Sequence, residues 1–208
     1  MYEIMSLREL IALLVFCAAM TFSPGPNTML TTAIASNEGL RKVIPFTLAV
    51  PLGWLLILLI TGLGIGTLVI QLPIVRWFIQ IAGCAYLLWL AYLLSRHHQL
   101  KTIDSSKLQI TFGKGVALQF LNIKVWLLAV TVTSTWIINA EGQISTNQYD
   151  RLALACFVVM FFAFTSNFSY ALVGSLVRNW LLHGKRLLIF NRILASLLAA
   201  TAIWTLFI

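Results

Sequence analysis

Ser23-Pro24-Gly25-Pro26-Asn27 interrupts the first long apolar stretch of the chain, and Leu121-Asn122-Ile123-Lys124 interrupts a later one. Two prolines around a glycine cannot continue an α-helix, because each proline lacks an N–H and its ring clashes with the preceding turn. In hydrocarbon, the backbone groups freed at such a break have no water to bond. Non-helical backbone at membrane depth survives only where protein buries it or where it lines a cavity, so a broken span points to a site for a solute or ion.

The composition places the chain in lipid. Of 208 residues, 60% are hydrophobic, the mean hydropathy is +0.93, and only 10% are Asp, Glu, Lys or Arg, against roughly 25% in a soluble domain. Stretches long enough to cross about 30 Å of hydrocarbon lie at 10–37 (broken), 43–70, 74–95, 113–138 (broken), 150–177 and 187–207. The expected fold is an all-α integral membrane protein of six transmembrane helices, a single domain over residues 1–208. Its one extended polar stretch, residues 96–111, reads as a linker between halves 1–95 and 112–208. Glu3 and Glu9 beside Arg8 stand where a signal peptide would be basic, so the first stretch reads as a span.

The net charge of +8 would suggest a nucleic-acid partner in a soluble protein, but here its placement reports topology. Connections after the first, third and fifth spans hold nine cations (Arg41, Lys42, Arg96, Lys101, Lys107, Lys114, Arg178, Lys185, Arg186), and the opposite side holds three (Arg8, Arg76, Arg151). By the positive-inside rule the first set faces the cytoplasm, which puts both termini outside. If the two halves share a fold, three spans per half put the second upside down relative to the first, the inverted-repeat arrangement of many transporters. Asn27 lies about 14 Å from Ser36 along the first span and Asn122 about 14 Å from Gly113 along the fourth, so both breaks are expected near the midplane.

Lys124 is a cation inside a span, and all six acids of the chain lie at span ends or in loops. Burying its charge costs roughly 3 kcal/mol even on the permissive insertion scale. A substrate carboxylate, cavity water, free carbonyls at the breaks or loss of its proton would offset that cost. The half-helix opening at Asn27 presents free N–H groups and a positive dipole end to an anion. Ser23, Asn27, Thr28, Gln119 and Asn122 add neutral donors and acceptors, and Thr165, Ser166, Asn167, Ser169 and Tyr170 concentrate polarity in the fifth span. The plainer role for any one of these is a hydrogen bond between helices. Together they fit a small zwitterion.

Other features carry no chemistry. Gly62, Gly64 and Gly66 follow no strand and read as packing positions. His97 and His98 lack acidic or cysteine partners, so no metal site is expected, and nothing in the chain calls for a cofactor. Trp77, Trp89, Trp126, Trp136, Trp180 and Trp204 read as interface anchors or packing, and Gly39 before Arg41 and Lys42 as a helix C-cap. Cys17, Cys84 and Cys156 sit singly in separate spans, which speaks against a membrane-embedded thiol-redox carrier. An intramembrane enzyme would need a nucleophile with a base, paired acids or a metal set, and no span holds His, Asp or Glu away from its ends.

Phe22-Ser23-Pro24-Gly25-Pro26-Asn27, then Gly39, Arg41 and Gly53, then Ala82-Gly83-Cys84-Ala85-Tyr86-Leu87-Leu88-Trp89-Leu90, then Gln119-Phe120-Leu121-Asn122-Ile123-Lys124 resemble the LysE/RhtB family of bacterial amino-acid exporters. The run Val116 to Lys124, with Ser134-Thr135 after it, is most similar to the cysteine/O-acetylserine exporter branch. The resemblance implies proton-driven efflux of small neutral amino acids across the inner membrane. Its transport site would comprise Ser23, Pro24, Gly25, Pro26, Asn27, Gln119, Asn122, Lys124, Asn167 and Tyr170. Export of another small carboxylate-bearing metabolite fits the same residues, and assembly as a homodimer is left open. Two positions depart from the family pattern. Ile123 stands where many members have proline, so the second break is expected to be only unwound or kinked, and Pro51 adds bulk to the second span.

Overall fold

The computed structural model describes residues 4–64, 72–96, 110–137, 147–181, 183 and 185–207. The described residues form helices, with no strand among them. In chain order the helices are α1 (Leu7–Phe22), α2 (Pro26–Glu38), α3 (Leu40–Gly62), α4 (Pro73–Ser95), α5 (Phe112–Phe120), α6 (Ile123–Val132), α7 (Gln148–Leu181) and α8 (Arg186–Trp204). A π-helical turn, Thr133–Ile137, extends α6, and a 3-10 turn, Thr205–Phe207, closes α8.

Helices α3, α4, α7 and α8 with its terminal turn are each long and apolar enough to cross a membrane. The pairs α1 with α2 and α5 with α6 meet at short breaks, bent by 51° and 67°, and raise the possible crossings from four to six. The expected third span, 74–95, falls almost residue for residue on α4. The second ends earlier than expected, at Gly62, and residues 65–71 lie outside the described set. So do Gly66, Glu141 and nearly all of the expected linker, with His97, His98, Lys101, Asp104 and Lys107.

Local chemistry sets the helix ends. Ser6 Oγ accepts the Glu9 N–H at 3.3 Å while Glu9 Oε2 accepts the Ser6 N–H at 2.8 Å, a capping box that starts α1. Gly39, at φ +93°, closes α2 with its N–H on the Ala35 carbonyl at 2.9 Å, as its place before two cations predicts. Helix α3 carries Pro45 and Pro51 and still runs unbroken. Isolated prolines leave it continuous where the Pro24-Gly25-Pro26 triplet ends a helix.

The helices pack in matching pairs. Helix α1 lies against α7 as α5 lies against α3, α2 packs on α7 as α6 packs on α3, and α2 touches α8 as α6 touches α4. Helices α3 with α7 and α4 with α8 are paired across the two halves, and α2 also packs on α3. The inner faces bury Leu13, Phe46, Ile57, Leu58, Leu128 and Leu198, whereas Ile74, Phe78, Phe157, Leu176 and Trp204 point outward. Large apolar side chains on the outer surface are what lipid, and not water, favours.

Polar links tie the two ends of the bundle. At one end Arg151 Nη1 meets Glu9 Oε1 and the Trp136 carbonyl, both at 3.1 Å, and Trp136 Nε1 donates to the Glu9 carbonyl at 3.1 Å. At the other, Asn37 and Asn191 exchange amide hydrogen bonds of 2.8 and 2.9 Å between fully buried side chains. Gly62 packs against Leu152, as a small residue at a helix contact should, but Gly64 sits at φ +94° in the turn after α3 with open space beside it.

Candidate functional site

The first break frees the last carbonyls of α1, and each of them finds a donor. The Ala19 carbonyl takes the Ser23 N–H at 3.1 Å, and Met20 takes the Ser23 hydroxyl at 2.9 Å. Thr21 takes the Ser166 hydroxyl at 2.8 Å, Phe22 the Tyr170 hydroxyl at 3.1 Å, and Ser23 the Lys124 ammonium at 3.4 Å. Three of these five donors come from outside the break, two from α7 and one from α6. The N-terminus of α2 is treated differently. Pro26 has no N–H to satisfy, and Thr28 Oγ1 both accepts from the Gly25 N–H and donates to its carbonyl, each at 3.0 Å. Gly25 has no side chain to act as a cap, and the N–H groups of Asn27 and Thr28 have no acceptor among the described residues.

The second break forms without proline. Asn122 Oδ1 accepts the Lys124 N–H at 3.2 Å and starts α6, and Trp126 Nε1 takes up the Phe120 carbonyl at 3.0 Å. A Cβ on Gly83 of α4 would meet the Leu121 carbonyl oxygen, so α4 lies directly on the break. The bend here exceeds that of the first break. The break, expected to be only unwound or kinked because Ile123 stands in place of proline, is unwound at Leu121 and Asn122 and bent by 67°. A side-chain cap and a close glycine contact stand where the family pattern has proline.

The two breaks touch. Lys124 Nζ donates to Ser23 Oγ at 2.7 Å, and Asn27 Nδ2 donates to Gln119 Oε1 at 2.7 Å. Gln119 is fully buried and saturated: Oε1 also accepts Trp54 Nε1 at 3.0 Å, and Nε2 donates to Asn27 Oδ1 at 3.2 Å and to the Gly115 carbonyl at 3.0 Å. Asn167 Oδ1 accepts from Thr31 at 3.1 Å, and its amide donates to the Ala163 carbonyl at 2.8 Å.

Between the breaks lies a cleft lined by Thr21, Ser23, Gly25, Pro26, Asn27, Thr28, Trp54, Asn122, Lys124 and Asn167. It spans about 260 Å³ of empty space including its mouth, with room inside for one water molecule. This conformation holds the site closed down. Among the described residues, Lys124 is the one titratable side chain lining the cleft, and no acid lines it.

Seven of the ten expected site residues line this cleft: Ser23, Gly25, Pro26, Asn27, Asn122, Lys124 and Asn167. The other three act around it. Gln119 stands behind Asn27 and Trp54, Tyr170 caps the end of α1, and Pro24 is exposed on the outer side of the break. In α7, Thr165 and Ser169 bond to carbonyls of their own helix at 2.7 and 2.8 Å and do not reach the break. Pro51 does not line the cleft.

Trp54 and Thr21 were not foreseen. A tryptophan at mid-span, next to Gly53 and far from either interface, was the available signal for the first. Thr21 differs from any other hydroxyl in a span only through its place at the break. Arg192 lies exposed on α8 beside Ile189, Ile193 and Leu197, away from the cleft. Among the described residues no group of three or more His, Cys, Asp or Glu could hold a metal ion.

The family described as LysE type translocator matches residues 18–207. Cysteine/O-acetylserine efflux proteins of Escherichia coli strain K12, Escherichia coli O1:K1 and Shigella flexneri are each 30% identical to the chain over 183 residues, covering 87% of it and 89% of the relative. No solved structure matches the chain. The helices, the paired breaks and this match agree: the chain is a multi-pass membrane protein and belongs to the LysE type translocator family, whose members are transporters.

Proposed function

We propose that the protein is a secondary exporter of small neutral amino acids or their derivatives, of the cysteine and O-acetylserine kind, across a bacterial inner membrane. One observation carries the reading. Lys124 Nζ, held 2.7 Å from Ser23 Oγ, shares a cleft with the N-terminus of α2, where two N–H groups lack an acceptor. A cation and a helix N-terminus converging on one small space suit a carboxylate. The hydroxyl, amide and carbonyl groups of Ser23, Asn27, Asn122 and Asn167 suit the rest of a zwitterion. Gln119 and Tyr170 hold the two broken helices in place, and Pro24 and Pro26 fix the first break. The names of the relatives support the choice of substrate class.

In this reading the chain is one transporter domain of six spans, its halves 1–95 and 112–208 inverted copies joined by the linker 96–111. The matching helix contacts support it, because exchanging α1, α2, α3 and α4 for α5, α6, α7 and α8 carries the matching pairs described above into one another. Both breaks then lie near the midplane and both termini in the periplasm. Rocking one half against the other exposes the cleft alternately to the two sides. Inward-moving protons drive the cycle as an antiport, and Lys124, the one titratable side chain among the described residues lining the cleft, changes its protonation during it.

The test is efflux from proteoliposomes against a panel of amino acids, with cells lacking or overproducing the protein challenged by the same panel. The expected result is reduced intracellular accumulation of cysteine-sized amino acids and a pH gradient that drives their movement, both lost in Lys124→Met. Unchanged accumulation across the panel would sink the export reading. Full pH-driven efflux by Lys124→Met would remove both duties assigned to the lysine.

A further inference from the structure

We infer that Trp54 sets the upper size limit on the side chain of the transported molecule. The inference rests on the export reading and deepens it, since it concerns the wall of the cleft that the carboxylate-holding groups leave free. Nine of the ten lining residues are small or polar, or carry the cation; Trp54 is the one aromatic surface. A ligand whose carboxylate meets Lys124 and the start of α2 has only the indole face on which to lay an apolar side chain.

That wall is fixed at both its root and its tip. At the root, a Cβ on the neighbouring Gly53 would stand 2.7 Å from Gln119 Cβ and 3.2 Å from the Val116 carbonyl, so α3 lies on α5 with no slack. At the tip, the indole N–H donates to Gln119 Oε1 at 3.0 Å, and every remaining hydrogen-bonding position of Gln119 is taken by Asn27 and Gly115. Swinging the ring aside would strand a buried N–H and leave Gln119 short of a donor, so the ring stays where it is. Trp54 is only 4% exposed and packed as a fixed wall of the cleft, so when the cleft opens to admit a ligand, a side chain much longer than that of serine or cysteine meets the indole. Each methylene that a rigid apolar pocket accepts or refuses is worth about 10-fold to 200-fold in discrimination.

The experiment is competition for counterflow of labelled cysteine in proteoliposomes by unlabelled alanine, serine, cysteine, valine, leucine and phenylalanine. It is run on the wild-type protein and on Trp54→Ala, Trp54→Leu and Trp54→Phe. The wild type is expected to favour cysteine over leucine by at least 10-fold. Trp54→Ala should narrow that preference to within about 3-fold by admitting leucine, with Trp54→Leu intermediate. Trp54→Phe keeps a ring and should keep most of the restriction, and it serves with Trp54→Leu if the alanine variant does not fold. An unchanged size profile in the smaller variants that fold overturns the role of Trp54 and leaves export standing. A wild-type protein that moves no amino acid overturns the export reading itself.

Discussion

The two breaks reach similar shapes by opposite means. At Ser23–Gly25 the bend is written into the backbone: Pro24 and Pro26 forbid the helix, and hydroxyls of α7 and the Lys124 ammonium then cover the carbonyls released. At Leu121–Asn122 no residue forbids a helix. The chain turns because Asn122 caps α6 and Gly83 lets α4 lie on the Leu121 carbonyl, and it turns more sharply, by 67° against 51°. A broken span can therefore be imposed locally or selected by its neighbours, and the second kind should be the easier to destroy.

The largest effect should come from Gly83→Val. Its branched side chain has no room against backbone, and overpacking costs about 1–3 kcal/mol even where neighbours can shift; a main-chain carbonyl inside a break cannot shift freely. We expect little folded protein by fluorescence-detected gel filtration. Yield and melting temperature equal to wild type would mean that α4 does not shape the second break. Gly25, by contrast, adopts extended backbone at φ −172°, open to any residue. The first break should tolerate a side chain there.

Gln119→Leu comes next, because Gln119 joins the breaks. Its removal strands the Trp54 N–H and the Asn27 amide in a buried site, at about 1–3 kcal/mol for each group left unpaired. A double-mutant cycle with Asn27→Ala should return a coupling energy of about 0.5–3 kcal/mol, read from thermal or denaturant unfolding in detergent. Additive losses would show that the breaks are held independently.

Asn122→Ala tests the cap alone and should cost about 1 kcal/mol. For a chain of this size that is a fall of roughly 2–4 °C in melting temperature. Ser6→Ala removes a cap of the same type at the far end of α1 and serves as the control. Both should lower stability alike, and only Asn122→Ala should slow transport, since it loosens the helix that carries Lys124. Equal transport in the two variants would detach the second break from function.

Much of this was legible in the sequence because it is local. Hydropathy located six stretches, and the helix boundaries of α4, α7 and α8 fall within a few residues of them. The proline pair located the first break, and the isolated Lys124 marked the second. What lay beyond reach depends on how helices rotate against one another. The pairing of Asn27 with Gln119 spans 92 positions, and that of Asn37 with Asn191 spans 154. Trp54 and Gly83 are ordinary residues of apolar spans until their neighbours are known. The size of the bend at Ile123 is out of reach for the same reason: it is set by Asn122 beside it and by Gly83 on another helix.

The smallest effect on stability, and the sharpest comparison of stability with function, is expected from Gly25→Ser. Serine is a good N-cap, and its hydroxyl would accept one of the two N–H groups that α2 leaves without an acceptor, raising stability by a few tenths of a kcal/mol. That shifts the melting temperature by about 1 °C at most. The added Cβ would stand 3.4 Å from Lys124 Nζ and 3.9 Å from the Ser23 carbonyl, an ordinary contact that the backbone accepts without strain. Yet the same hydroxyl occupies the position assigned to the substrate carboxylate, between the start of α2 and the lysine. Efflux in proteoliposomes should fall at least 10-fold, the cost of losing about 1.4 kcal/mol of ligand binding, while the protein stays as stable as before or slightly more so. A Gly25→Ser protein that transports at the wild-type rate would show that those N–H groups face no ligand. The absence of a side chain at Gly25 would then serve only the close approach of the two breaks.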